Sequence, residues 1–182
     1  MFTRFTSLLT FGLLFVNALG LAIPIDLITK STDVADLSIE DITNALDVGF
    51  VKHINVFITL DSLVTNLVNI DFTVENPLPL ELTLESASGK GTLNGTTYAD
   101  FNHTFITPVV IPALGEMNTG VINNVLLTQG TLATLDIIPL GVLDLEQMNI
   151  VISVGGITIP INGLEQKGVP TAYELDLGLT TE

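Results

Sequence analysis

Val68-Asn69-Ile70-Asp71-Phe72-Thr73-Val74-Glu75-Asn76-Pro77-Leu78-Pro79 decides how the rest of the chain is read. Val68, Ile70, Phe72 and Val74 fall on one face of an extended chain, and Asn69, Asp71, Thr73 and Glu75 on the other. A period of two with one apolar and one polar face is the mark of a half-buried antiparallel strand. Asn76-Pro77 then stops it, because proline has no N–H to donate and both residues favour turns. Working outward, the same period returns at Ile54, Val56, Ile58 and Leu60, against Asn55, Phe57, Thr59 and Asp61. It returns again at Leu80, Leu82 and Leu84, at Ala133, Leu135 and Ile137, at Met148 to Val154, at Ile157 to Ile161, and at Tyr173, Leu175 and Leu177. Gly115, Gly120, Gly130, Pro139-Leu140-Gly141, Gly155-Gly156 and Gly168-Val169-Pro170 supply turns between these runs. Short β-branched runs so punctuated predict an all-β sandwich or barrel.

One helix is predicted, upstream of the strands. Ser38 is placed to cap it with Asp41 three residues on, and Leu37 and Ile42 are spaced as a hydrophobic staple. Ala35, Ile39, Ile42 and Leu46 recur at helical spacing, and Gly49 ends the run. Further upstream, Met1 to Arg4 is a basic opening, Leu8 to Val16 an apolar centre, and Ala18 and Gly20 small residues. That order describes a secretory signal peptide, cleaved after Gly20 or after Ala22. The rival reading is a retained membrane anchor. Thr10 and Asn17 interrupt the apolar stretch, which falls short of the roughly 20 residues a spanning helix needs. No apolar run follows Leu179, so a lipid-anchor signal is not expected. The expected organisation is a signal peptide at 1–22, an N-terminal segment with the helix at 23–50, and the β-domain at 51–182.

With five basic and twenty acidic residues the chain carries a net charge of −15. The lysines are Lys30, Lys52, Lys90 and Lys167, and Arg4 would leave with the signal peptide. Phosphate backbones and anionic lipid surfaces need Lys and Arg clusters, so neither nucleic acid nor a membrane surface is an expected partner, and no stable membrane span is expected after processing. Repulsion should keep copies apart at neutral pH and let them self-associate as pH falls toward the isoelectric point of about 4.1. The chain has no cysteine, which excludes disulfides, thiolate metal sites and cysteine nucleophiles.

The Val68–Pro79 strand and its Asn-Pro turn resemble those of late-embryogenesis-abundant type 2 (LEA-2, or water-stress/hypersensitive-response) domains. The layout after them is similar too, with a strand at Leu80–Leu84 and then Gly91-Thr92-Leu93-Asn94-Gly95. The whole also resembles a group of uncharacterised fungal secreted proteins built around this pattern. The resemblance covers about forty residues, and beyond residue 105 only the layout matches. It implies a domain without enzymatic activity. It also narrows the expected fold to an immunoglobulin- or fibronectin-like antiparallel β-sandwich with one short N-terminal helix.

Catalytic sets are sparse. Of the two histidines, His53 shares parity with Asn55 and Thr59 and is expected to face solvent. His103 shares parity with Phe101 and Phe105 and is expected on the packed face. Ser31, Ser38, Ser62, Ser86, Ser88 and Ser153 stand in no nucleophile-elbow context. The carboxylates form no Ca²⁺-loop motif, and a sugar platform is thin with no tryptophan and two tyrosines. No catalytic residue, metal ligand or cofactor is therefore expected. Asn94-Gly95-Thr96 and Asn102-His103-Thr104 are acceptors for N-glycosylation in an exported chain, with Asn102 turned away from Phe101 and Phe105. The expected function is that of a secreted structural or interaction module, extracellular or in the cell wall. The alternatives are a carrier of a hydrophobic ligand or lipid, which needs an enclosed apolar cavity, and a carbohydrate hydrolase, which needs two facing carboxylates.

Overall fold

A computed structural model describes Ser38–Gly178, which lie in one compact unit. The proposed signal peptide at 1–22, Leu37 of the staple and Ser31 are outside those residues. The chain begins with α1 (Ile39–Asp47), capped as its sequence requires. The Ser38 backbone N–H donates to Asp41 Oδ2 and the Asp41 N–H donates to Ser38 Oγ, each at 3.1 Å. Two otherwise orphaned donors are thereby satisfied. The inner face of α1 buries Ile42 and Leu46, which join Phe50 in the core. The N-terminal helix is thus packed on the strands that follow it.

The strands are β1 (Val51–Thr59), β2 (Leu67–Glu75), β3 (Leu82–Leu93), β4 (Thr96–Ile111), β5 (Glu116–Asn118), β6 (Ile122–Leu127), β7 (Val142–Val154) and β8 (Ile157–Asp176). Between them lie α2 (Ser62–Thr65), α3 (Thr131–Leu135) and a 3₁₀ turn at Ile138–Leu140. Seven of the described strands close on themselves in the order β1-β8-β7-β3-β4-β6-β2, because β1 also pairs with β2. The short β5 continues the line of β6 along the far half of β2, at Thr73–Glu75. A ring of antiparallel neighbours needs an even number of strands, so a seven-membered one must contain a parallel junction. That junction is β1 with β8, in register from Ile54 opposite Thr171 to Thr59 opposite Asp176.

This closed barrel corrects the expectation of an immunoglobulin- or fibronectin-like sandwich; the fold is all-β but of another class. The physical reason lies in strand length and bulges. Sandwich strands are short and straight, whereas β4 runs 16 residues and β8 runs 20. Strands that long stay on one barrel wall only if they bend, and bulges bend them. Lys52 is an extra residue between the pairs Val51–Val74 and His53–Thr73. It resets the phase so that Val51 and Ile54, three apart, both point inward. Gln147, at φ 52°, does the same between Leu145 and Met148 on β7, and Gly168, at φ 64°, turns the β8 backbone between Leu164 and Val169. Gly168-Val169-Pro170 is accordingly a bend inside a strand rather than a turn between two.

Two other local expectations change. The alternation at Ala133–Ile137 belongs to α3 and to the link that caps the 3₁₀ turn, since a short apolar run cannot by itself separate strand from helix. The Thr131 N–H donates to Asn66 Oδ1 at 2.9 Å and Thr131 Oγ1 donates to the Ser62 carbonyl, so α3 docks on α2 over the end of the barrel where β1 finishes. Leu60 lies past the end of β1 and is exposed. The Asn76-Pro77 turn is more than a turn. Asn76 is fully buried, its Nδ2 donates to the carbonyls of Leu80, Pro112 and Ile111 at 2.7, 3.1 and 3.3 Å, and its Oδ1 accepts from the Leu78 N–H at 3.0 Å. One side chain ties the exit of β2 to the exit of β4.

Candidate functional site

The outer face of β1, β2 and β5 carries a connected run of polar side chains. Cross-strand pairing sets Asn55 opposite Asp71, His53 opposite Thr73, and Thr73 opposite Asn118. Asn55 Nδ2 donates to Asp71 Oδ1 at 2.7 Å, and Asn118 Nδ2 donates to the same oxygen at 2.9 Å. Asp71 is only 8 % exposed although it faces outward, so these amides take the place of water around its carboxylate. With its amide hydrogens turned to Asp71, Asn55 presents Oδ1 to His53 Nε2 at 3.1 Å. That oxygen accepts, so Nε2 must carry the proton. At the edge of the run Lys52 bonds Glu75 at 2.6 Å. The Glu75 hydrogen bond and charge, with Glu116 beyond, raise the Lys52 amine above its ordinary range, against a smaller loss from burial.

This arrangement orders His53 through Asn55. Among the described residues no hydroxyl bonds to His53, and Ser62 and Ser153 are engaged elsewhere. Ser62 Oγ accepts from the Thr59 N–H at 3.1 Å, and Ser153 Oγ donates to Glu85 Oε1 at 2.5 Å. His103 lies half-buried, edge-on to Phe105 with ring centres 4.8 Å apart. The two histidines sit on β1 and β4, which are not neighbours in the ring. Among the described residues no group of three or more histidines and carboxylates is placed to hold a metal ion, and no helix is long and apolar enough to cross a membrane.

The cavities are equally telling. Inside the barrel two apolar voids of about 20 Å³ each share the walls Val56, Ile70, Ala99 and Leu143. Each has room for about one water, against the several hundred Å³ of a typical ligand pocket. The Tyr173 ring lines one of them, and its hydroxyl is buried without a hydrogen-bond partner. Burial alone pushes this phenol up to about 12. A larger groove of about 470 Å³ opens on the surface between Leu80–Thr83 and the β7–β8 turn, and among the described residues Glu81 is the one carboxylate lining it, without a second facing it there.

The glycosylation acceptors are both exposed. Asn94 and Gly95, at φ 50° and 77°, form the two-residue turn that joins Leu93 to Thr96, the conformation an Asn-Gly hairpin favours. Asn102 projects from β4 opposite Ser88, while Phe101 and Phe105 are buried as parity requires. Sequence reasoning placed His53 and Asn55 on one face but missed Asp71 and Asn118 as their partners. Strand parity alone allowed that grouping, but only the β1–β2–β5 register reveals it.

No family model matches this chain, and no curated protein matches it. Among solved structures, the crystal structure of a protein from Archaeoglobus fulgidus is similar at 13 % identity, with a TM-score of 0.31, over 56 % of this chain and 83 % of that one. At that score the likeness carries no argument about fold or function, and none of the three comparisons supports the LEA-2 resemblance.

Proposed function

We propose that this protein is a secreted, non-enzymatic β-barrel that serves as a structural or interaction module outside the cell or in its wall. The observation that carries the reading is the filled interior: Ile54, Val56, Ile70, Phe72, Phe101 and Leu145 leave voids of about 20 Å³, too small for a lipid or a substrate. An ordered histidine without a nucleophile and a groove with one carboxylate point the same way. Export rests on the charged, apolar and small residues of Met1–Ala22, and glycosylation on two exposed acceptors.

The test is native mass spectrometry on the protein recovered from the medium and wall fractions of a secreting host. The expected species begins at Leu21 or Ile23, carries N-glycans, and has no other adduct. A lipid mass that survives gentle desolvation would transfer the assignment to a carrier. An intact Met1 terminus found only in membranes would overturn export.

A further inference from the structure

Cross-strand register lines up Asn102, Ser88, Asn149 and Asn162 in one row across β4, β3, β7 and β8, and Thr104, Ser86, Val151 and Pro160 in the row beside it. Directly opposed residues share a face of the sheet. Here it is the outer face, since Ala87, Ile150 and Ile161, which lie between the two rows, are buried. Neither row holds a charge, in a chain that carries −15 overall. The nearest charges on β4, β3 and β7 are Asp100, Lys90 and Glu146, which line up on one side, and Glu85 on the other, which accepts from Ser153. Asn149 is held in place, its Nδ2 donating to the Gln147 carbonyl and its Oδ1 accepting from the Gly163 N–H, each at 3.1 Å. Ser88 and Asn162, on either side of it, keep their hydroxyl and amide free of intramolecular bonds. Asn102, an acceptor for N-glycosylation, stands at the end of this row.

We propose that the N-glycan of Asn102 lies down across this face, its first sugars meeting Ser88, Asn149 and Asn162 in turn. This rests on the reading of an exported, glycosylated chain. The point of attachment selects the occupant. Asn102 projects from the row itself, and β4 is an outer strand there, paired beyond Asp100 with β3 alone. A pyranose ring spans one strand spacing, about 4.8 Å. The first sugar therefore reaches over Ser88, the second over Asn149 and the third over Asn162. Sugar hydroxyls and N-acetyl amides need neutral groups that both donate and accept, which a serine hydroxyl and an asparagine amide do and a carboxylate does not. Val151 and Pro160, in the neighbouring row, offer apolar surface to the N-acetyl methyl. Asn94 provides the contrast. It sits at φ 50° in the turn that joins β3 to β4, where the sheet ends and its glycan extends into solvent. The Asn102 glycan is thus a brace over four strands, a working part of the fold.

The test uses the full chain recovered from a secreting host that adds high-mannose glycans, with peptide mapping to establish which acceptors are occupied. An endoglycosidase that cuts between the first two sugars is applied to the native protein and to protein unfolded in urea. The expected result is native release at Asn102 about tenfold slower than at Asn94, the protection that one or two hydrogen bonds give, and equal release from the unfolded chain. Ser88→Glu puts a carboxylate under the first sugar. It should raise the native rate at Asn102 to that at Asn94 and leave the circular dichroism spectrum unchanged. Either comparison decides where a bare Asn94 or an unfolded variant removes the other. Equal native rates at the two sites, an unchanged rate in Ser88→Glu, or an exported chain bare at Asn102 would overturn the inference and leave export standing. A chain that keeps Met1 and stays in membranes would overturn both.

Discussion

Replacing Asn76 with alanine should cost this barrel far more than a turn residue is normally worth. The Asn76 amide has two N–H donors and one acceptor oxygen engaged with the backbone of two separate segments, Leu78–Leu80 and Ile111–Pro112. Alanine deletes all of these bonds at once. Water can reach the Leu80 and Pro112 carbonyls, which are only partly buried, and will replace their bonds at small cost. The Leu78 N–H and the Ile111 carbonyl are buried, and each left unpaired costs about 1–3 kcal/mol. The sum is about 2–6 kcal/mol, centred near 4, a large part of the roughly 5–15 kcal/mol that holds a domain together. At about 3 °C per kcal/mol for a domain of this size, Tm should fall by about 10 °C. Asn76→Asp keeps the bond from the Leu78 N–H but aims an oxygen at three carbonyls, and should be at least as damaging. Circular dichroism during heating and urea titration measure both. A loss below about 1 kcal/mol for either variant would mean that Asn76 is an ordinary turn residue and that the tie between β2 and β4 is not real.

Tyr173→Phe should stabilise the protein by about 1–2 kcal/mol, because it removes a buried hydroxyl without a partner and keeps the ring; a destabilised variant would show that water already satisfies it. Since the Tyr173 phenol lies near 12 against an ordinary 10.0, its protonated form is favoured by folding, and wild-type stability is full below pH 10 and lost as pH rises from 10 through 12. Denaturant titrations from pH 9 to 12 should show that decline shrinking in Tyr173→Phe. Gly89→Ala places a methyl 2.8 Å from Met148 Cγ and 3.2 Å from its Cα, so urea unfolding should register a loss of about 1–3 kcal/mol; a neutral result would mean that β7 can retreat. Dynamic light scattering at micromolar concentration should show the hydrodynamic radius growing as pH drops from 7 to 4, toward the isoelectric point of about 4.1 where net charge vanishes; a constant radius would argue against charge as the force keeping copies apart.

The strands that face water on one side were legible: β1, β2 and the β7–β8 hairpin alternate cleanly, and Gly155-Gly156 turns where expected, between Val154 and Ile157. The capping box of α1 was legible for the same local reason. The far half of β3 was not, because its inward positions are Ala87, Gly89 and Gly91, which give no apolar signal. Nor was the continuity of β4 and β8, where bulges shift the phase and a period of two breaks off. Closure of the ring depends on β1 meeting β8 across more than a hundred residues of sequence, and no local pattern records that contact. The Asp71 network was half-visible, since parity groups its members on one face while only register puts them within reach.

The closed ring is tested most directly by through-space NMR contacts between β1 and β8. A closed barrel gives backbone NOEs in parallel register from Ile54–Thr171 to Thr59–Asp176, with Val56 opposite Tyr173, and slow amide exchange along Ile54–Thr59. An open sandwich would leave one of these strands an unpaired edge. If the β1–β8 NOEs are missing and the amides of either strand exchange as an exposed edge does, the barrel is wrong.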